Sequence, residues 1–296
     1  SHRDINDVNQ TLRHPEIKTQ AHSVESGTNI GAPNKEEIIV DKVRYKNLII
    51  GKKYKVTGVL MDKEKNKPIL DREDKEISAE KEFVAEKADG EIELEFRYDS
   101  ALRQDKITVV FETLTYKNVP IAVHTDINDS AQSIYYPSIG TSMTGKGGTK
   151  VVSKAKSVSL TDAVKYKNLI TGRSYTVKGI LMDKKTGKPY EEDGKPVAGS
   201  ATFKSDGNGT ISVEFKLNTS KIAGKELVAY EKVYDDKGKL IATHEDINNR
   251  DQTIRVAPPS VPRTGDGSLL YVYMGLFIAS FLALASLTAI KRCVRL

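Results

Sequence analysis

A histidine and a glutamine recur eight residues apart at three places in this sequence. The pairs are His2 and Gln10, His124 and Gln132, and His244 and Gln252. Two of these pairs close a long segment that opens with a threonine, Thr19 or Thr141. If the two ends of such a segment are strands of one domain, a hydroxyl, an imidazole and a carboxamide can meet. These groups are the nucleophile, the base and the electrophile of an acyl transfer that releases ammonia.

The threonine-to-glutamine segments are copies of one repeat. Residues 43–51 match residues 164–172, and residues 58–63 match residues 179–184, both at an offset of 121. We therefore predict one domain over residues 13–136 and a second over residues 137–257. Residues 1–12 repeat only the ending, so we expect them to be the last strand of an upstream copy.

Alternating hydrophobicity dominates each repeat. Residues 92–98 and 211–217 alternate apolar and polar side chains, which predicts strands with one buried face. Turn sequences rich in Gly, Asp and Lys separate these runs. The prediction is an all-β protein of tandem immunoglobulin-like antiparallel β-sandwiches, followed by a single C-terminal transmembrane helix.

The C-terminal segment carries a second set of signals. Residues 258–268 form a linker, residues 269–290 are apolar, and residues 291–296 are a basic tail. As a helix the apolar run spans roughly 33 Å, enough to cross a bilayer core, and the basic tail is expected to stay cytoplasmic. The linker contains Val261, Pro262, Arg263, Thr264 and Gly265.

This order of motif, span and basic tail resembles the sortase sorting signal of Gram-positive surface proteins. Val261 stands where that signal usually has leucine. The resemblance implies cleavage between Thr264 and Gly265, followed by amide transfer to a cell-wall amine. The alternative is a plain membrane anchor.

Composition excludes several other classes. Charged residues make up 29% of the 296 residues, with a net charge of +6. Lys and Glu are interspersed, so we expect no nucleic-acid binding. The single cysteine, Cys293, lies in the predicted cytoplasmic tail, so the exported part is expected to lack disulfides. We predict no cofactor and no metal, because residues 126–129 lack the spacing of a calcium loop. The sequence has no initiator Met or signal peptide, as expected for a fragment of a longer precursor.

Several segments together resemble the VaFE-repeat family, the T-Q ester-bond domains of Gram-positive adhesins. They are the Phe-Glu and Tyr-Glu strand endings at Glu112 and Glu231, the Tyr-Lys-Asn-Leu and Leu-Met-Asp-Lys segments, and the His-to-Gln endings. The resemblance implies an autocatalytic ester between Thr19 and Gln132 and another between Thr141 and Gln252.

The same resemblance implies roles for the neighbouring residues. His124 and His244 would be proton shuttles, and Glu112 and Glu231 would be acids that polarise the glutamine carbonyl or orient the histidine. Asp129 would be a further acidic partner. The second repeat has Asn249 at that position, where Asp246 or Asp251 would have to substitute.

The predicted function is a cell-wall-anchored stalk of self-crosslinked domains that presents a distal adhesive region at the cell surface. Its partners would be sortase, a peptidoglycan cross-bridge amine and, through an upstream region, a host protein or glycan; the precursor would cross the plasma membrane transiently. Two alternatives remain, a module that itself binds a host ligand and a pilus shaft subunit with Lys–Asn isopeptide bonds. An enzyme acting on external substrates is not expected.

Overall fold

Alternating sequence patterns become β-strands in both repeats. The structure, a computed structural model, describes residues 11–258. In the first repeat the strands are β1 (Glu16–Ser23), β2 (Glu37–Lys46), β3 (Lys53–Asp62), β4 (Lys67–Pro68), β5 (Ser78–Val84), β6 (Gly90–Tyr98), β7 (Ile107–Tyr116), β8 (Val119–His124) and β9 (Ser133–Tyr135).

The second repeat follows the same plan. Its strands are β10 (Ser138–Gly145), β11 (Val151–Val152), β12 (Val158–Lys167), β13 (Ser174–Asp183), β14 (Lys188–Pro189), β15 (Glu191–Glu192), β16 (Lys195–Pro196), β17 (Ala198–Lys204), β18 (Gly209–Leu217), β19 (Glu226–Asp235), β20 (Leu240–His244) and β21 (Thr253–Val256). One short 3-10 helix, Lys146–Gly148, follows β10.

Each repeat is a sandwich of two sheets, and the second repeat has a further two-stranded sheet, β15-β16. In the first repeat one sheet has the order β1-β2-β6. The other has the order β4-β3-β7-β8, with β5 also paired to β3 and β9 to β7. In the second repeat β10-β12-β18 face the sheet that contains β13, β19, β20 and β21. The prediction of an all-β fold of antiparallel sandwiches is confirmed; a short parallel pairing of β11 with β21 is an addition to it.

Every repeat encloses its own apolar core between its two sheets. In β2, every second side chain points inward, so that Ile39, Val43 and Tyr45 are buried. At the junction of the repeats Tyr136 is fully buried in the first core, and β10 begins two residues later. The backbone of Gly31 lies so close to this ring that an added Cβ would be 2.4 Å from Tyr136 Cε1.

The predicted anchor falls outside this description. Within residues 11–258 the structure contains no helix with the length and apolarity that a membrane span requires. The upstream ending in residues 1–10, the sorting motif at 261–265, the span at 269–290 and the basic tail lie outside the described residues.

Candidate functional site

The ends of the first repeat meet where its two sheets face each other. Thr19 lies on β1, in one sheet, and Glu112 lies on β7, in the other. His124, the last residue of β8, is the cross-strand partner of Glu112. Gln132 directly precedes β9, and its main-chain oxygen accepts a hydrogen bond from Val110 N of β7 at 3.1 Å. The first strand and the last strand of the repeat therefore bring their side chains to one place.

The side chains at this place are within hydrogen-bond distance of one another. Thr19 Oγ1 is 3.2 Å from Glu112 Oε2 and 3.1 Å from His124 Nδ1. Gln132 Nε2 donates to the same Glu112 Oε2. Thr19 is 7% exposed, and Glu112 and Gln132 are 0% exposed. The hydroxyl and the carboxamide thus contact one carboxyl oxygen, away from water.

A second carboxyl group, Asp41 on β2, belongs to this site and is absent from the sequence-based prediction. Asp41 is fully buried. Its strand alternates, and Asp41 falls in the inward phase with Ile39 and Val43. A charged residue in a buried phase is unusual. Together with its copy Asp162, also at an offset of 121, that phase is the signal that could have found it.

Burial keeps a proton on this carboxyl pair. Desolvation, followed by the charge of nearby Asp41, raises the pKa of Glu112 far above its ordinary value. Desolvation also raises the pKa of Asp41. Both oxygens of Asp41 and Oε1 of Glu112 are buried without a hydrogen-bond donor. A proton held by the pair supplies the missing donor, because two adjacent carboxylates cannot both ionise in a dry site.

Asp129 contacts the other side of the histidine ring. Its Oδ2 lies 3.1 Å from His124 Nε2, and its Oδ1 accepts a hydrogen bond from Ala131 N at 2.7 Å. The ring therefore lies between the carboxylate of Asp129 and the hydroxyl of Thr19. This is the geometry in which a carboxylate orients an imidazole.

The second repeat brings together the corresponding residues. Thr141 Oγ1 donates to Glu231 Oε2 at 3.3 Å. Gln252 Nε2 donates to the same Glu231 oxygen at 2.9 Å and to the main-chain oxygen of His244 at 3.1 Å. Asp162, the copy of Asp41, is buried beside Glu231, and desolvation raises the pKa of both carboxyl groups.

The histidine of the second repeat has different partners. Its Nε2 is 3.2 Å from Asn249 Nδ2, and its Nδ1 is buried with no hydrogen-bond partner. Asp246 accepts hydrogen bonds from Asn248 N and Asn249 N, within its own turn. The main-chain N–H of Asp251 donates to Asn249. Asn249 itself, rather than either aspartate, therefore takes the place of Asp129.

A buried hydroxyl, carboxamide and carboxyl pair, with a half-buried imidazole, recur at matching positions in the two β-sandwiches. Residues 15–136 and residues 137–256 each match the family described as the T-Q ester bond containing domain. The chain belongs to this family.

Comparison with solved structures gives weaker likenesses. One is a Mobiluncus mulieris adhesin described as containing intramolecular disulfide, isopeptide and ester bond cross-links. It is 16% identical with a TM-score of 0.33, and 76% of this chain and 81% of that chain are covered. Red sea bream transglutaminase is 13% identical with a TM-score of 0.26, over 84% and 32% of the two chains. At these TM-scores neither likeness assigns a function. No curated protein sequence matches the chain.

Proposed function

We propose that this chain is a cell-surface stalk whose repeats are each closed by an ester between the opening threonine and the closing glutamine. The observation that carries the proposal is the shared contact in the first repeat. Thr19 Oγ1 and Gln132 Nε2 both contact Glu112 Oε2, with His124 Nδ1 beside the hydroxyl. Membership of the T-Q ester bond family supports the same chemistry.

The reaction begins at the hydroxyl. His124 accepts the proton of Thr19 as Oγ1 attacks the side-chain carbonyl carbon of Gln132. Negative charge develops on Gln132 Oε1, which is buried without a hydrogen-bond donor. A neutral carboxyl group of the Asp41–Glu112 pair would supply that donor as the reaction proceeds. His124 then returns the proton to the nitrogen as the C–N bond breaks. The threonine hydroxyl and the glutamine amide thus yield one ester and one ammonia, with no water consumed.

Burial serves both the reaction and its product. A carboxyl group stays neutral near pH 7 only if its pKa is raised, as desolvation raises that of Glu112. The same exclusion of water protects the ester from hydrolysis. Each repeat reacts once, so the site needs no opening for a substrate.

The position of the crosslink suits a load-bearing element. Thr19 lies on the first strand of its repeat, and Gln132 directly precedes the last strand. An ester between them connects the two sheets covalently and carries tension from one end of the sandwich to the other. The strands between the two residues then bear little of the load.

We further propose that the stalk is attached to the cell wall through the motif at 261–265, by sortase acting between Thr264 and Gly265. The apolar run at 269–290 would hold the precursor in the membrane beforehand. A distal adhesive region would lie upstream of the first repeat.

Incubating the full chain with a sortase and an amine nucleophile tests the anchoring step. A product ending at Thr264 and joined to the amine is expected, and an uncut chain would contradict the proposal.

The ester itself is tested by intact-mass analysis of the full chain in detergent. Each closed repeat lowers the mass by one ammonia, and peptide mapping identifies the joined residues. The change Thr19→Ala removes the deficit of the first repeat, whereas Thr19→Ser keeps it because the hydroxyl remains. A full-mass chain with separate Thr19 and Gln132 peptides would overturn the proposal.

A further inference from the structure

The hydrogen bonds of Asp129 determine which nitrogen of His124 carries the proton. An ionised carboxylate can only accept hydrogen bonds. Its Oδ2 faces Nε2 at 3.1 Å, so Nε2 must be the N–H of the neutral ring. The lone pair is then on Nδ1, which lies 3.1 Å from Thr19 Oγ1. The first repeat therefore holds its histidine in the tautomer that can take a proton from the threonine.

The amide of Asn249 has the opposite requirement. Its Oδ1 accepts hydrogen bonds from Asp251 N at 2.8 Å and Gln252 N at 3.2 Å. These two main-chain donors fix the orientation of the amide, and its NH₂ group faces His244 Nε2 at 3.2 Å. Because an amide nitrogen only donates, Nε2 must offer its lone pair. The proton of neutral His244 is then on Nδ1.

An Nδ1–H group cannot accept the proton of a hydroxyl. Nδ1 of His244 is buried without a hydrogen-bond partner, whereas Nδ1 of His124 lies 3.1 Å from Thr19 Oγ1. Thr141 Oγ1 is 3.3 Å from Glu231 Oε2, a contact that Thr19 Oγ1 makes with Glu112 as well. An N–H on Nε2 would point at the NH₂ group of Asn249, which offers no acceptor.

We propose that Asn249 is a positioning residue that holds His244 in the non-basic tautomer, so that the second repeat forms its ester far more slowly than the first. This inference rests on the ester chemistry proposed above. In Ser-His-Asp enzymes the change of the aspartate to asparagine lowers kcat by about 10⁴-fold through the wrong tautomer. General base catalysis as a whole contributes about 10²–10⁴-fold, which is the expected ratio of the two rates.

The rates are measured on the full chain, synthesised in a short labelled pulse with detergent and quenched in acid at successive times. Protease digestion and mass spectrometry then give the closed fraction of each repeat separately. Asn249→Asp is expected to bring the rate of the second repeat to within about tenfold of the first, because Asp129 shows that an aspartate fits this turn. Asn248→Asp is the matched control: it adds the same charge one residue away, on an exposed side chain. It is expected to leave the rate unchanged.

The reverse change and a spectroscopic measurement complete the test. Asp129→Asn should slow the first repeat by the same factor. Imidazole nitrogen NMR, recorded on the Thr141→Ala chain, should show His244 protonated at Nδ1 and, after Asn249→Asp, at Nε2. If Asn249 had only a structural role, Asn249→Asp would not move the proton of His244 from Nδ1 to Nε2.

The possible failures are distinct. If the wild-type second repeat closes as fast as the first, the inference about Asn249 is wrong, while the ester of the first repeat stands. The same holds if Asn249→Asp changes neither the rate nor the tautomer. If no Thr19–Gln132 peptide forms in any chain, the proposed function itself is overturned, and this inference with it.

Discussion

In the first repeat Glu37, Tyr98 and Tyr136 are buried together, with the two tyrosine hydroxyls hydrogen-bonded and Glu37 opposite Tyr98 across β2 and β6. In the second repeat Val158 and Leu217 are the corresponding cross-strand pair, and Val256 stands where the first repeat has Tyr136. This part of the interior can therefore be polar or apolar without a change of fold.

The candidate site behaves differently. Both repeats bury a carboxyl pair, a threonine and a glutamine at matching positions. Burying two carboxyl groups side by side costs several kcal/mol unless a proton or a partner compensates. A sandwich that can be built with valine and leucine has no need of such a pair for packing. The comparison indicates that packing tolerates exchange in one part of the interior, whereas both repeats carry the same buried site residues despite this cost.

The largest effect is expected from removing the threonine hydroxyls one at a time. Thr19→Ala should lower the free energy of unfolding of the first repeat by about 4–5 kcal/mol, because the ester closes a loop of about 113 residues. Thr141→Ala should cost less in freshly made chain, where fewer second repeats are closed. Hydrogen exchange in denaturant, read repeat by repeat, measures both. Equal losses in the two repeats would remove the proposed difference between them.

The second prediction concerns the free energy of unfolding, which should depend on pH in the same way in both repeats when their crosslinks are absent. In the Thr19→Ala chain, folding keeps a proton on the Asp41–Glu112 pair that the unfolded chain releases, since the folded pKa of Glu112 is raised to about 11. Stability is then greatest below the unfolded pKa, near 4.5 for Glu112, and falls as the pH rises above it. The slope is about 1.4 kcal/mol per pH unit where the folded pair holds one proton, and it is steeper below about pH 6, the folded pKa of Asp41, where the pair holds two.

Urea unfolding between about pH 5 and 8 measures this slope. Glu112→Gln should flatten it in the first repeat, and Glu231→Gln should do the same in a Thr141→Ala chain. A stability that rises with pH in the uncrosslinked first repeat would mean that the carboxyl pair ionises freely on folding.

The smallest predicted loss of stability comes from replacing one glycine in each repeat, and it should be equal in the two repeats. Gly58 and Gly179 lie opposite Glu112 and Glu231 in the sheet. An added Cβ would be 2.6 Å from Cζ of Phe96 or Phe215. Alanine at either glycine should therefore cost about 1–3 kcal/mol through overpacking, as measured by denaturant unfolding. Gly140→Ala is the control, because a Cβ there meets nothing within 4 Å. A loss in one repeat alone would show that the two cores are not equivalent.

The fold could be predicted from the sequence, because alternation of apolar and polar residues indicates a strand with one buried face. The strands predicted at residues 92–98 and 211–217 are β6 and β18, each of which begins two residues earlier than predicted. The two-residue strand β11 could not be predicted in this way, because two residues are too few to show alternation. Its parallel pairing with β21 depends on where the loop after β10 returns.

The site was predictable in part. Recurrence identified Thr19, His124 and Gln132, which the structure brings together. Asp41 could have been predicted only by noticing that its position in β2 belongs to the inward-facing residues, although its side chain is charged. The amide orientation of Asn249 could not be read from its neighbours in sequence, since two main-chain N–H groups of a folded turn determine it.

The short junction between the repeats bears on how far such a chain can lengthen when pulled. Gln132 and Thr141 are nine residues apart, and buried Tyr136 lies between them. An open first repeat that unravelled would release a contour of roughly 400 Å, at about 3.5 Å for each residue between Thr19 and Gln132. A closed repeat releases none of it, and only the few residues between one crosslink and the next can extend. In a chain with one open repeat, the closed repeat would keep its length under tension. The open repeat could unfold and lengthen, and so absorb a sudden pull.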